Sequence, residues 1–169
     1  YKMNLSLLVL IPLVTFLAVM LARSGSAARL MALSGASVQL LLSLALLFMY
    51  MSEREAGNSA LVLFESDHLW FPSWNIHYHV GVDGISVAMI LLTSFVMLAG
   101  VLVSWNIPTM KKEFFALLIF LGTGAFGFFI SLDLFTMFFF FELAVIPKYL
   151  LIAIWGSGKK EYASMKLVL

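Results

Sequence analysis

Two charges, Glu142 and Lys148, interrupt an otherwise apolar run from Leu134 to Trp155. At about 1.5 Å per residue the run can cross a hydrocarbon core of about 30 Å, and Glu142 lies about 12 Å into it. A carboxylate at that depth costs on the order of 3 kcal/mol, so such groups usually face protein or water rather than lipid. They also hold and release protons under the control of burial and nearby cations. A chain of this kind must form a helix that a membrane accepts and must find surroundings for one carboxyl group. Proton or ion movement is the first function this suggests.

The rest of the sequence agrees with a membrane setting. Of its 169 residues, 63% are hydrophobic and 11% charged. The apolar residues fall in long charge-free runs, which an amphipathic soluble protein would not show. The chain has no cysteine, which excludes disulfides and thiolate metal sites. Its net charge of +1 points to no partner, and no basic stripe suits nucleic acid. No phosphate loop, nucleophile–base pair or dinucleotide fingerprint is present.

The expected fold is an all-α membrane protein, a polytopic transmembrane helix bundle with one small external β-hairpin. Five full spans are read at about 3–22, 30–51, 85–107, 114–132 and 134–155, and a sixth helix starts at about 162. The fourth and fifth are separated only by Ser131-Leu132-Asp133, so they should form a helical hairpin with Asp133 at its turn. All of 1–169 is read as the N-terminal part of one larger transmembrane domain. Lys and Arg set the orientation. Arg23 and Arg29, Lys111 and Lys112, and Lys159 and Lys160 mark three inner loops, against Lys2 and Arg54 on the other side. The N-terminus and the loop 52–82 are then external. In that loop Trp74, Ile76, Tyr78, Val80 and Val82 alternate with Asn75, His77, His79 and Gly81, a strand signature. Ser59–Glu65 is the expected partner strand, with Phe71-Pro72-Ser73 in the connection. Asp83 should cap the third membrane helix.

Among candidate site residues Glu142 stands first, as a proton-relay carboxyl. The plain alternative is a carboxyl kept neutral by a neighbouring helix. Pro147 removes a backbone donor and leaves the Leu143 carbonyl without its partner. Lys148 is about 240° around the helix from Glu142, which rules out ordinary pairing on one face. Snorkelling to the inner surface is favoured for it over a place in the relay. Tyr149 shares the Glu142 face. Lys166, near the start of the sixth helix, fits an access path and fits snorkelling equally. His77 and His79 share one strand face, and a metal there would need Asp67 and His68 as well. Ordinary polar residues on an external hairpin are the favoured reading, and no metal is expected. Gly122, Gly124 and Gly127 read as helix packing.

Several stretches carry a family resemblance. Val80-Gly81-Val82-Asp83-Gly84-Ile85-Ser86 with Leu91-Leu92-Thr93 resembles the start of the third helix of the subunit M (chain 4) family of respiratory complex I. Leu132-Asp133-Leu134-Phe135, Phe141-Glu142-Leu143, Ile146-Pro147, Tyr149-Leu150 and Trp155-Gly156 resemble its fifth helix. Lys160-Glu161-Tyr162-Ala163 and Met165-Lys166 resemble the start of its sixth. The resemblance covers about Tyr78 onward; the first two helices agree in pattern only.

The resemblance implies a fourteen-helix antiporter-like fold with two inverted five-helix repeats. It implies proton translocation coupled to NADH–quinone electron transfer, and that Glu142 pairs with a lysine on a later helix. Lys148 departs from the family, which usually has an uncharged residue there. NAD, FMN, iron–sulfur clusters and quinone are expected only in partner subunits of the complex. The implied partners are other membrane-arm subunits and the lipid bilayer, in the inner membrane of a bacterium. The rival functions are a cation/proton antiporter subunit of the multi-subunit sodium type and a membrane subunit of a related hydrogenase.

Overall fold

The structure, a computed structural model, describes residues 4–74 and 76–168. Its helices are α1 (Leu7–Leu21), α2 (Gly25–Glu55), α3 (Gly84–Val103), α4 (Lys111–Ile130), α5 (Leu134–Trp155) and α6 (Lys160–Val168). Strands β1 (Leu63–Phe71) and β2 (Ile76–Val82) lie between α2 and α3. Four helices, α2 to α5, are long and apolar enough to cross a membrane. The chain is a multi-pass membrane protein with a small antiparallel sheet.

The helix bounds differ from the sequence expectation in informative ways. α1 has 15 residues rather than a full span; Met3, where that span was drawn, lies outside the described residues. α2 is longer than its apolar run. The Ser24 hydroxyl caps it by accepting from the Ala27 N–H, and it continues past the apolar residues to Glu55. α3 ends at Val103 rather than near Ile107, while α4 and α6 begin two or three residues before their apolar stretches, at Lys111 and Lys160. Hydropathy marks the lipid-facing stretch, whereas backbone hydrogen bonding extends into water at either end.

α4 is the central helix, packed against α1, α2, α3 and α5. Phe115, Ile119, Phe126 and Ile130 of α4 are fully buried. Small residues let its neighbours close in: Ala28, Ala32 and Ala36 form a buried stripe one turn apart along α2. Inside α1, Pro12 removes the N–H that would bond the Leu8 carbonyl. The buried Gln39 side chain of α2 supplies the donor instead, its Nε2 lying 3.0 Å from Leu8 O. Ser43 and Ser94 join α2 to α3 through their buried hydroxyls, 2.5 Å apart.

The strands form the expected hairpin with a different partner segment. β2 pairs with Leu63–Phe71, which shares only residues 63–65 with the expected Ser59–Glu65, and Pro72–Trp74 make a single 3₁₀ turn between the strands. Asn75 lies outside the described residues. β1 carries Glu65, Asp67 and His68, and it bulges where Phe64 takes φ 57°, which breaks the alternation that announced β2. Gly81 has no room for a side chain, because a Cβ there would meet Val62 and Leu132.

The bundle has two unlike ends. The hairpin sits with the α4–α5 turn and the start of α1, where Ser6 Oγ lies 3.4 Å from Tyr78 OH. The three basic loops meet at the opposite end. The Arg29 guanidinium lies 4.4 Å from the centre of the Trp105 ring and donates to its carbonyl, and the Trp155 indole N–H donates to Thr109 O.

Candidate functional site

The site is built on α5, and its register begins at Asp133. The Asp133 carboxylate accepts from the backbone N–H groups of Phe135 and Thr136, at 3.0 and 3.2 Å. This satisfies donors that the first turn would leave orphaned. The rotation of α5 is set by α4. A Cβ on Gly124 would lie 2.8 Å from Ala144 Cβ and 2.9 Å from the Phe140 carbonyl, and Gly127 faces the Phe140 ring. Two helices approach this closely only where one presents glycine.

That contact decides where Glu142 points. Thr136, Phe140 and Pro147 are the buried residues of α5, on one stripe against α4. Glu142 is about 200° around the helix from Phe140. It is exposed, in a second stripe with Phe135, Phe138 and Ile146. Phe138 and Ile146 are 57% and 58% exposed, against 7% for Phe140. The carboxyl therefore lies on the face of α5 that the described helices leave open. It makes no hydrogen bond or ion pair among the described residues.

The other named residues do not assemble around it. Lys148 is half-buried on the flank of α5, and no ion pair joins it to Glu142 among the described residues. Lys166 is exposed on α6, its ammonium 5.7 Å from the Tyr162 ring centre. Tyr149 is half-buried on the Glu142 side, and Pro147 faces α4. His77 and His79 each meet a carboxylate across the hairpin, Asp67 at 2.8 Å and Glu65 at 2.5 Å. No group of three or more candidate ligands suited to a metal occurs among the described residues. Asp83 caps α3 through the Ser86 N–H, as expected. That backbone bond, and then the Ser86 hydroxyl, hold its carboxyl below the usual carboxylate range.

The structure adds a residue that the sequence did not single out. Thr136, fully buried at the start of α5, donates its hydroxyl to the His77 carbonyl at 3.0 Å. The bond spans 59 positions in sequence, so no local pattern announces it.

Comparison with known proteins places this architecture. Residues 131–169 match the family described as NADH:quinone oxidoreductase/Mrp antiporter, TM. The chain is 40% identical over 103 residues to the chloroplast NAD(P)H-quinone oxidoreductase chain 4 of Chlorokybus atmophyticus, covering 61% of this chain and 20% of that one. It is 39% identical over 100 residues to an NAD(P)H-quinone oxidoreductase chain 4 of a Picosynechococcus species, covering 59% and 18%. The chain thus spans about a fifth of the length of the curated relatives it matches. In fold it resembles a chain of respiratory complex I from Thermus thermophilus, with TM-score 0.80 and 23% identity over 98% of this chain and 32% of that one. It also resembles a chain of an archaeal membrane-bound sulfane sulfur reductase, with TM-score 0.74 and 20% identity over 97% and 33%. Residues 131–169 thus match the NADH:quinone oxidoreductase/Mrp antiporter transmembrane family, and over about 100 residues the chain is similar to NAD(P)H-quinone oxidoreductase chain 4.

Proposed function

We propose that this chain is the N-terminal part of a proton-translocating subunit of an NAD(P)H–quinone oxidoreductase complex, with Glu142 as a relay carboxyl. The observation that carries this is the position of Glu142: deep in an apolar helix, on the face α4 does not cover. A carboxyl facing bare lipid is disfavoured by several kcal/mol. Further helices of the full-length subunit cover that face and bring a cation to it. The group then gains or loses its proton as that cation approaches or withdraws. The chain needs no redox group for this; the electron-transfer cofactors belong to partner subunits of the membrane complex. Lys148 snorkels toward the basic end, and Lys166 stands where an access path from that side would begin.

The test is Glu142→Gln in the full-length subunit. Pumping by membrane vesicles, normalised to assembled complex, should fall at least about tenfold, and coupled NADH–quinone turnover with it. Glu142→Asp should retain part of the activity. Wild-type pumping by Glu142→Gln would make the carboxyl structural. The family description also names Mrp antiporters. Pumping that depends on sodium and not on a quinone reductant would favour that reading. Orientation is tested by cysteine labelling at Ser26 and Ser73, which lie at opposite ends of the bundle and are exposed. The hairpin site should react from outside and Ser26 only from inside.

A further inference from the structure

We propose that the β-hairpin is a clasp that positions the Glu142 helix, and that Thr136 is its positioning residue. This rests on the relay reading of Glu142 and adds how that carboxyl is held in place.

The backbone of β2 sets up the clasp. One edge of β2 pairs with β1, and the carbonyls of His77 and His79 find partners at the α4–α5 turn. The Leu132 N–H donates to His79 O at 2.8 Å, Ser131 bridges to Val80, and the Thr136 hydroxyl donates to His77 O. The turn thus extends the hairpin along its second edge.

The Thr136 bond is unlike those of comparable hydroxyls in this chain. Thr15, Ser37, Thr93 and Thr123 all donate to the carbonyl four residues back in their own helix. That is the usual resting place for a hydroxyl inside a helix. For Thr136 the residue four back is Leu132, which precedes α5. Its one proton goes across to the strand instead. β1 adds a second hold: the Trp70 ring meets the Phe139 ring edge-on, with centres 5.7 Å apart. Phe139 lies about 300° from Thr136 around the helix, so the two contacts restrain rotation as well as height. Glu142 follows Phe139 by one turn, about 4.5 Å along the axis. The same two histidines use their side chains on Asp67 and Glu65, so one strand grips β1 through its rings and α5 through its carbonyls.

A proton relay is sensitive to placement, because transfer needs donor and acceptor within hydrogen-bond reach. The test compares Thr136→Val, which keeps the shape and deletes the donor, with Thr136→Ser, which keeps the donor. Both are made in the full-length subunit of the assembled complex. Pumping per assembled complex should fall about 3- to 10-fold in Thr136→Val and stay within about twofold in Thr136→Ser, on the scale of one hydrogen bond. The infrared band of the Glu142 carboxyl, assigned by its loss in Glu142→Gln, should shift in Thr136→Val and not in Thr136→Ser. If Thr136→Val does not assemble, Trp70→Leu on the half-exposed hairpin surface serves, with an expected loss of about twofold and a shifted band.

Wild-type pumping and an unshifted band in Thr136→Val, or in Trp70→Leu where that variant serves, would overturn the clasp. So would equal impairment of Thr136→Val and Thr136→Ser, which would assign the effect to packing. Failure of the relay reading is separate: it shows as wild-type pumping in Glu142→Gln itself.

Discussion

α4 and α5 are neighbours of nearly equal length, both apolar with no polar stripe along one face, yet they are used in opposite ways. α4 buries nine residues against four other helices, while α5 buries three, chiefly against α4 and the hairpin. The difference lies in side-chain size rather than hydrophobicity. α4 places Gly122, Gly124 and Gly127 where Met97, Ala144 and Phe140 press against it. α5 answers with large aromatic residues, most of them pointing away from α4 and around Glu142. In a bilayer, lipid tails are as apolar as leucine, so contact between helices is decided by fit. α4 is an interface to four helices, with half of its apolar length buried. α5 is half of one, and its unfinished half carries the acid.

The contrast is sharpened first at Glu142. Glu142→Gln should remove most pumping while assembly survives, and Lys148→Met should be the milder change. The next largest effect compares two phenylalanines in the full-length subunit. Phe126→Ala on α4 should destabilise by about 3–5 kcal/mol through the cavity it leaves. Phe138→Ala, beside Glu142, should approach that figure if other helices cover the open face. Thermal denaturation of the purified complex measures both, and a negligible effect at Phe138 would mean that lipid covers it, breaking the contrast. Gly127→Leu should cost about 1–3 kcal/mol by pushing Phe140 aside, read as lost assembly or a lower melting temperature. The smallest effects are at the caps. Asp133→Ala loosens the start of α5 and Asp83→Ala that of α3, each by about 1 kcal/mol. Because the Asp83 carboxyl is held below its usual range, its contribution is complete above the unfolded value near 3.9. That contribution is lost as the pH falls through the lowered value. Asp83→Asn should flatten this acid limb, as seen in melting temperatures measured from pH 6 downward.

Much of this was legible in the sequence because it is local. The bounds of α5, the Asp83 cap, the turn at Asp133 and β2 follow from short patterns that the structure reproduces. The partner of β2 was not legible, since β1 mixes charged and aromatic residues and bulges at Phe64. The covered face of α5 was hidden for a different reason. A helix apolar all round has no stripe to declare which side is inward, and only the glycines of the preceding helix settle it. Thr136 was hidden because its partner is a backbone carbonyl, and every residue type offers one.

The bond from Gln39 to the Leu8 carbonyl bears on how the first two helices hold together. The chain order puts α1 before Gln39, and until α2 packs beside it the carbonyl that Pro12 stranded lacks this donor. α1 is also the shortest of the apolar helices that precede α5. The backbone of α1 is completed by a side chain of its neighbour, so the first two helices behave as one packed pair rather than as two separate spans.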